Sequence, residues 1–88
     1  MVEFNEVWTR IMSHSGDEFR QIRGGRFTYL AHEGYIEPDR TRQNLPRSHF
    51  EAAFDLVPLE DTTGLQHLRG PSYLYAILMD RRIRQSDW

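Results

Sequence analysis

Five arginines between positions 23 and 47 are the side chains of this 88-residue chain best suited to binding chemistry: Arg23, Arg26, Arg40, Arg42 and Arg47. A planar guanidinium can donate paired hydrogen bonds to a phosphate or to a base edge. The connector that holds the last three also carries Thr41, Gln43 and Asn44, whose side chains bond to the same groups. Phe19 and Tyr35 lie nearby in sequence and are of the type that stacks on exposed bases. The pattern predicts a non-catalytic binding module whose partner is nucleic acid.

The distribution of charge leaves a second function open. Residues 20–47 carry six arginines against three carboxylates, whereas residues 48–68 carry four carboxylates and no arginine. The net charge is −2 and the pI is about 6.0, although dedicated nucleic-acid domains are usually basic. Alternating acidic and basic blocks also suit a homodimer or another protein–protein assembly, with Phe19, Leu30 and Trp88 in the interface. A third interpretation is that the arginines pair with the acidic block and serve only solubility.

Several kinds of catalytic chemistry are excluded by residue type. The chain contains neither cysteine nor lysine, so it can form no thiolate nucleophile, thiolate metal site, disulfide or lysine Schiff base. The four histidines show no metal-binding spacing: His32-Glu33 begins like a zinc-protease motif, but Ile36 stands where the second histidine is needed. We therefore expect no catalytic residue, no metal and no cofactor, and predict that the protein is not an enzyme.

Length and composition predict one folded domain spanning residues 1–88. The chain is 39% hydrophobic and 27% charged, as is usual for a globular protein. A core this small often gains from oligomerisation, so size also favours a homodimer. The chain has no apolar run that could span a bilayer, and its acidic N-terminus lacks the pattern of a secretory signal. We expect a cytoplasmic protein with no membrane partner.

The elements that must position the arginines begin with a helix, because Phe4, Val7, Trp8 and Ile11 form one apolar stripe at helical spacing. Residues 18–38 are then predicted as a three-stranded antiparallel meander. A two-residue turn at Gly24-Gly25 sets Ile22 opposite Phe27 and Arg20 opposite Tyr29. A second tight turn at Glu33-Gly34 sets Ala31 opposite Ile36. The core face would then contain Ile22, Phe27, Tyr29, Ala31 and Ile36, with Phe19 and Leu30 on the polar face.

The second half of the chain predicts two or three helices. Residues 38–47 are typical of a polar connector, and Ser48 with Glu51 fits a capping box at the start of a helix that Pro58 ends. Asp61 to Thr63 can cap a short helix, and Pro71 can open another. These two, joined at Gly70, could form a helix-turn-helix, and the alternative interpretation is an ordinary helical corner. Residues 81–84 are predicted as a short strand.

Together these elements predict an α+β fold: an N-terminal helix, a three-stranded antiparallel meander, then two or three helices packed on one sheet face. Four segments carry a family resemblance, namely residues 27–29, 47–53, 70–73 and 76–83. In them the chain resembles short uncharacterised bacterial proteins of the mobile gene-cassette (integron cassette) kind. The resemblance implies a compact bacterial domain, and none of its motifs carries a reaction, a ligand or a functional residue.

Overall fold

A computed structural model describes residues 2–88 and shows the predicted α+β fold. The order of elements is α1 (Phe4–Ser13), β1 (Glu18–Arg20), β2 (Arg26–Ala31), β3 (Tyr35–Pro38), β4 (Leu45–Pro46), α2 (Arg47–Phe54), a 3-10 helix (Thr63–Leu65), α3 (Pro71–Leu78) and α4 (Arg81–Arg84). The strands form one antiparallel sheet in the order β1-β2-β3-β4. No helix in the described part of the chain is long and apolar enough to cross a bilayer.

The helices pack on one face of the sheet. Tyr29 on β2 donates its hydroxyl hydrogen bond to the carbonyl of Ile11 on α1, over 2.6 Å. The ring of Phe27, also on β2, meets Tyr73 of α3 edge-on at 4.8 Å between centroids. The stripe of α1 is buried as its spacing predicts. This face of the sheet is therefore part of one hydrophobic core shared by strands and helices.

The register of β1 against β2 differs from the predicted one. Phe19 pairs with Phe27, and Arg20 pairs with Arg26, so the pairing is shifted by three residues. The turn is longer than two residues: Gln21 N–H donates to the Gly25 carbonyl, and Gly24 takes a positive φ of 91°. Three-residue hairpin loops commonly need glycine at that last position. Ile22 lies in this loop, 49% exposed, and is not part of the core.

Aromatic packing explains why this register is adopted. Phe19 is only 2% exposed, and its ring centroid lies 5.9 Å from that of Phe27 and 5.2 Å from that of Tyr29. The predicted register would have buried one isoleucine and turned a phenylalanine to solvent. Burying the larger aromatic surface is worth more than a tighter turn. The prediction that Phe19 lies on the polar face was wrong, whereas the Ala31–Ile36 pairing is confirmed.

The connector contains a strand that the sequence analysis did not predict. Leu45 pairs with Ile36 and is fully buried, and Pro46 pairs with Tyr35 at the edge of the sheet. The chain passes from β4 directly into α2, where Arg47 N–H donates to the Gly34 carbonyl over 2.9 Å. The sheet has four strands instead of three because this buried leucine extends it by one short edge strand.

Two predicted helix boundaries and one predicted strand were also wrong. The residue preceding α2 is Pro46, so Ser48 lies inside the helix and forms no capping box with Glu51. The helix ends at Phe54, before Pro58. Residues 81–84 form α4 and not a strand, because the Asp80 carboxylate accepts from Arg82 N–H over 2.9 Å and caps the helix. The helix predicted from Pro71 is confirmed as α3.

The register can be tested by comparing two substitutions in the β1–β2 hairpin. Phe19→Ala should lower the free energy of unfolding by about 3–5 kcal/mol, because it leaves a cavity among packed aromatic rings. Ile22→Ala should lower it by less than about 1 kcal/mol, because half of that side chain is already in water. Urea denaturation of both variants measures the difference. The reverse order of effects would support the predicted register.

The stability of the protein at high pH should depend on Tyr29. Burial raises the pKa of its phenol well above the ordinary value of 10.0. Above about pH 10 the unfolded chain loses this proton while the folded protein keeps it, so the folded state binds more protons and the free energy of unfolding falls. The loss contributed by Tyr29 should approach about 1.4 kcal/mol per pH unit.

Tyr29→Phe provides the matched control for this pH dependence. At neutral pH it should lower the free energy of unfolding by about 1–3 kcal/mol, because the Ile11 carbonyl loses its buried donor. Between about pH 9 and pH 11 the variant should lose less stability than the wild type. Denaturant titrations at several pH values measure both effects. Parallel curves for the two proteins would show that Tyr29 does not carry the dependence.

Candidate functional site

Four of the five predicted arginines lie at one end of the sheet. Arg23 is in the loop between β1 and β2, and Arg26 begins β2. Because Pro38 pairs with Tyr29, the connector leaves β3 beside the beginning of β2, and this connector carries Arg40 and Arg42. All four side chains are exposed. The antiparallel register thus brings together arginines that are up to nineteen positions apart in sequence.

A hydrogen bond joins the connector to the hairpin at this end. The Arg40 guanidinium donates through Nη1 to the Arg26 carbonyl over 3.1 Å. Asp39, its neighbour, accepts a hydrogen bond from Thr28 N–H over 3.0 Å. These two contacts hold the start of the connector against β2, so Arg26 and Arg40 lie on adjacent segments of the backbone.

Arg20 belongs to the same end and was missed by the sequence analysis. The predicted register had set it opposite Tyr29, whereas it is paired with Arg26 and exposed. The signal that could have revealed it is the apolar alternation through Phe19, which leaves the next residue facing outward. We define the arginine end as Arg20, Arg23, Arg26, Arg40 and Arg42.

Most of this positive charge is not neutralised. Arg26 approaches the Glu18 carboxylate to 3.7 Å, but both side chains are more than half exposed, so the pair is weak. Among residues 2–88, the other four members of the arginine end form no ion pair within 4.0 Å. The interpretation in which these arginines are matched by the acidic block 48–68 therefore fails for the arginine end.

Arg47 lies at the opposite end of the sheet. It follows Pro46, whose partner Tyr35 begins β3, and is therefore beside the β2–β3 turn. Its guanidinium donates to the side-chain oxygen of Asn5 and lies over the Phe4 ring, 5.4 Å from the centroid. Arg47 is half-buried and attaches α2 to α1. The structure does not bring it together with the other four predicted arginines.

The outer face of the sheet continues from the arginine end. Side chains alternate along each strand, so the residues next to the buried ones point away from the helices. On this face are Glu18, Arg20, Arg26, Thr28, Leu30, His32, Tyr35 and Glu37. Leu30 is 58% exposed at its centre. We define this surface, opposite the helical layer, as the open face.

The two aromatic residues predicted to stack on bases have different positions. Phe19 is buried under Arg82, whose guanidinium carbon lies 4.1 Å above the ring centroid, so it is not available to a ligand. Tyr35 is on the open face, beside the β2–β3 turn. Its ring stacks on His32, with centroids 4.5 Å apart and planes inclined by 18°.

Arg82 holds β1 against α4 and is unavailable as a recognition residue. Its guanidinium binds both oxygens of Asp80, at 2.9 and 3.0 Å, and donates to the Glu18 carbonyl over 2.8 Å. Burial alone would raise the pKa of Asp80, but the hydrogen bonds and charge of Arg82 outweigh it and lower that pKa.

The first element of the predicted helix-turn-helix is a 3-10 helix of only three residues, so a helical corner is the better description.

Residues 2–88 contain no cluster of side chains typical of a metal site. No group of three or more His, Asp or Glu side chains there could hold a metal ion. His14 contacts Asp17, His32 contacts Glu37, and His49 accepts from Arg69 N–H.

An open cavity of about 450 Å³ beside α4 is lined by Arg81, Arg84, Gln85, Ser86 and Trp88. Arg84 in that cavity already donates to the Trp88 carbonyl.

Comparison of the chain with known protein families, curated proteins and solved structures found no match. The resemblance to gene-cassette proteins stays a prediction.

The different surroundings of Arg47 and Arg42 predict different effects on stability. Arg47→Ala should lower the free energy of unfolding by about 1–3 kcal/mol, since it removes a cation–π interaction and the Asn5 hydrogen bond. Arg42→Ala should change it by less than about 0.5 kcal/mol, because that side chain is exposed and contacts no carboxylate within 4.0 Å among residues 2–88. Urea denaturation compares the two. Equal effects would contradict the assignment of Arg47 to the α1–α2 contact.

Proposed function

We propose that the protein is a non-catalytic binding module for nucleic acid, and that the arginine end contacts the phosphate backbone. The observation that carries this proposal is the convergence of five exposed arginines from β1, β2, the hairpin loop and the connector. Only two carboxylates, Glu18 and Asp39, are on the same pieces of chain, and Asp39 is engaged by Thr28 N–H. Exposed guanidinium groups bind phosphate oxygens in pairs of hydrogen bonds, which suits a polyanion.

The overall charge of −2 is compatible with such a site because the arginines are concentrated at one end. Salt screens charges over about 8–10 Å at ordinary ionic strength, so a phosphate held at the arginine end is affected mainly by the groups nearest to it. The acidic residues 48–68 belong to α2 and the segment after it, beyond the sheet strands. The local excess of positive charge supports binding even though the chain as a whole is slightly acidic.

Homodimeric assembly is the second candidate function. It is supported by Leu30, which is 58% exposed at the centre of the open face. The arginine end lies at one end of that face, Glu37 lies beside Leu30 and Glu33 lies at the other end, so two copies related by a two-fold axis would be complementary in charge. We favour nucleic acid because Glu37 is already hydrogen-bonded to His32, whereas the arginines have few partners. Sedimentation velocity at high micromolar concentration tests the dimer directly.

Binding of labelled DNA and RNA oligonucleotides, followed by fluorescence anisotropy, tests the first proposal. The protein should bind at about 50 mM salt and lose at least tenfold in affinity by about 200 mM, because phosphate contacts release counterions. The triple variant Arg20→Gln, Arg23→Gln, Arg42→Gln should bind at least tenfold more weakly. The slope of log affinity against log salt should fall in magnitude by about 2–3, because each arginine removed leaves about one phosphate without a cationic partner.

A control variant with the same change in charge separates local from general electrostatics. Arg81→Glu with His67→Glu also lowers the net charge by three, and both positions are exposed and lie outside the arginine end. Its affinity should remain within about threefold of the wild type, because neither position belongs to the surface that is proposed to contact phosphate. Absence of binding at low salt, or equal weakening in both variants, would refute a phosphate site at the arginine end.

A further inference from the structure

The far end of the open face carries a second feature suited to nucleic acid. The His32 and Tyr35 rings are stacked there, and the backbone N–H of His32 donates to the Tyr35 carbonyl over 2.8 Å, which closes the β2–β3 hairpin. The His32 side chain is 39% exposed, and its Nε2 lies 3.1 Å from a Glu37 carboxylate oxygen. This contact holds the imidazole in the orientation in which it stacks on Tyr35. We refer to the two rings as the stacking pair.

We propose that the open face binds single-stranded nucleic acid, with a base on the stacking pair and the backbone at the arginine end. This inference rests on the proposed function and specifies the form of the ligand. Bases in a duplex are paired and stacked on each other, so they cannot lie on aromatic rings that project from a sheet. An unpaired base has both π faces free, and stacking on a protein ring is tolerant of sequence.

The dimensions of the face fit this arrangement. Arg26 and His32 are six positions apart along β2 and the residue after it, which corresponds to about 20 Å of extended chain. At about 3.4 Å per nucleotide in a stacked strand, at most about six nucleotides cover this distance, and fewer do so where the bases are unstacked. Leu30 lies between the two ends and offers an apolar surface to the intervening bases or sugars. Thr28, on the same face, has a hydroxyl that can bond to a phosphate or a base edge.

The carboxylates on the open face do not exclude a polyanion from this path. Glu18 lies 3.7 Å from the Arg26 guanidinium, and Glu37 is hydrogen-bonded to His32. Both carboxylates therefore have a partner on the same face, whereas Glu33 lies in the β2–β3 turn, outside the strands. Because α1 and α3 contact the sheet through Tyr29 and Phe27 on its other side, a single strand has room to lie across the open face.

The test compares a labelled single strand of about fifteen nucleotides, as DNA and as RNA, with a duplex of the same length. The wild type should bind the single strand more tightly than the duplex. Tyr35→Leu should reduce single-strand affinity by about 5- to 150-fold, the range found when a stacking ring is removed, and leave duplex affinity within about twofold. Tyr35→Phe should retain single-strand affinity, because the ring remains. The DNA and RNA arms show whether a 2′-hydroxyl contributes.

The alternative results separate this inference from the proposed function. Equal binding of single strand and duplex, unaffected by Tyr35→Leu, overturns this inference and leaves the arginine end as a phosphate site. No binding of any nucleic acid at low salt overturns both proposals. A dimer in which Leu30→Ser prevents association would show that a second copy occupies the open face, and also overturns the inference. Should Tyr35→Leu fail to fold by circular dichroism, His32→Ser, at a half-buried position, removes the other ring of the stacking pair and supplies the same comparison.

Discussion

Tyr29 connects the sheet to the helical layer, because its ring lies beside Phe19 and its hydroxyl is bonded to the Ile11 carbonyl of α1. Around this contact the inner side chains of all four strands are buried: Phe19, Phe27, Ile36 and Leu45. In this chain of 88 residues, the helices α1, α3 and α4 cover one face of the four-stranded sheet. The opposite face is left exposed, and the proposed function depends on that asymmetry.

The arginine end is a consequence of how the strands are paired. Antiparallel pairing returns the chain repeatedly to the same two ends of the sheet, so residues from the hairpin loop and from the connector become neighbours. Hydrogen bonds from Arg40 to the Arg26 carbonyl and from Thr28 N–H to Asp39 hold these segments together. Binding residues on loops supported by a rigid sheet are common, because loops tolerate polar groups that the core does not.

Arginine has two distinct uses in this protein, and only one of them suits ligand binding. Arg82 and Arg10 are structural: Arg82 packs on Phe19 and Asp80, and Arg10 reaches Asp87 at 2.7 Å and the Ile83 carbonyl at 2.9 Å. Arg47 likewise attaches α2 to α1 through Asn5. The arginines of the arginine end instead have few contacts with the protein and remain hydrated. Residue type alone does not separate these uses, since every basic side chain other than histidine is arginine.

Local signals were enough to predict the α+β class, the helices α1 and α3 and the β2–β3 pairing, because apolar periodicity, Pro71 and the Glu33-Gly34 turn each act over a few residues. Other features were set by packing between distant parts of the chain. Burial of Phe19 stabilises the observed β1–β2 register more than a two-residue turn at Gly24-Gly25 would stabilise the predicted one. The observed register also places Arg20 opposite Arg26. Pairing of Leu45 with Ile36 forms β4 and places the start of α2 at Arg47, directly after the strand. Arg47 therefore lies at the other end of the sheet from the arginine end. The free energies of these long-range contacts appear only when the core is assembled, so no local pattern predicts them.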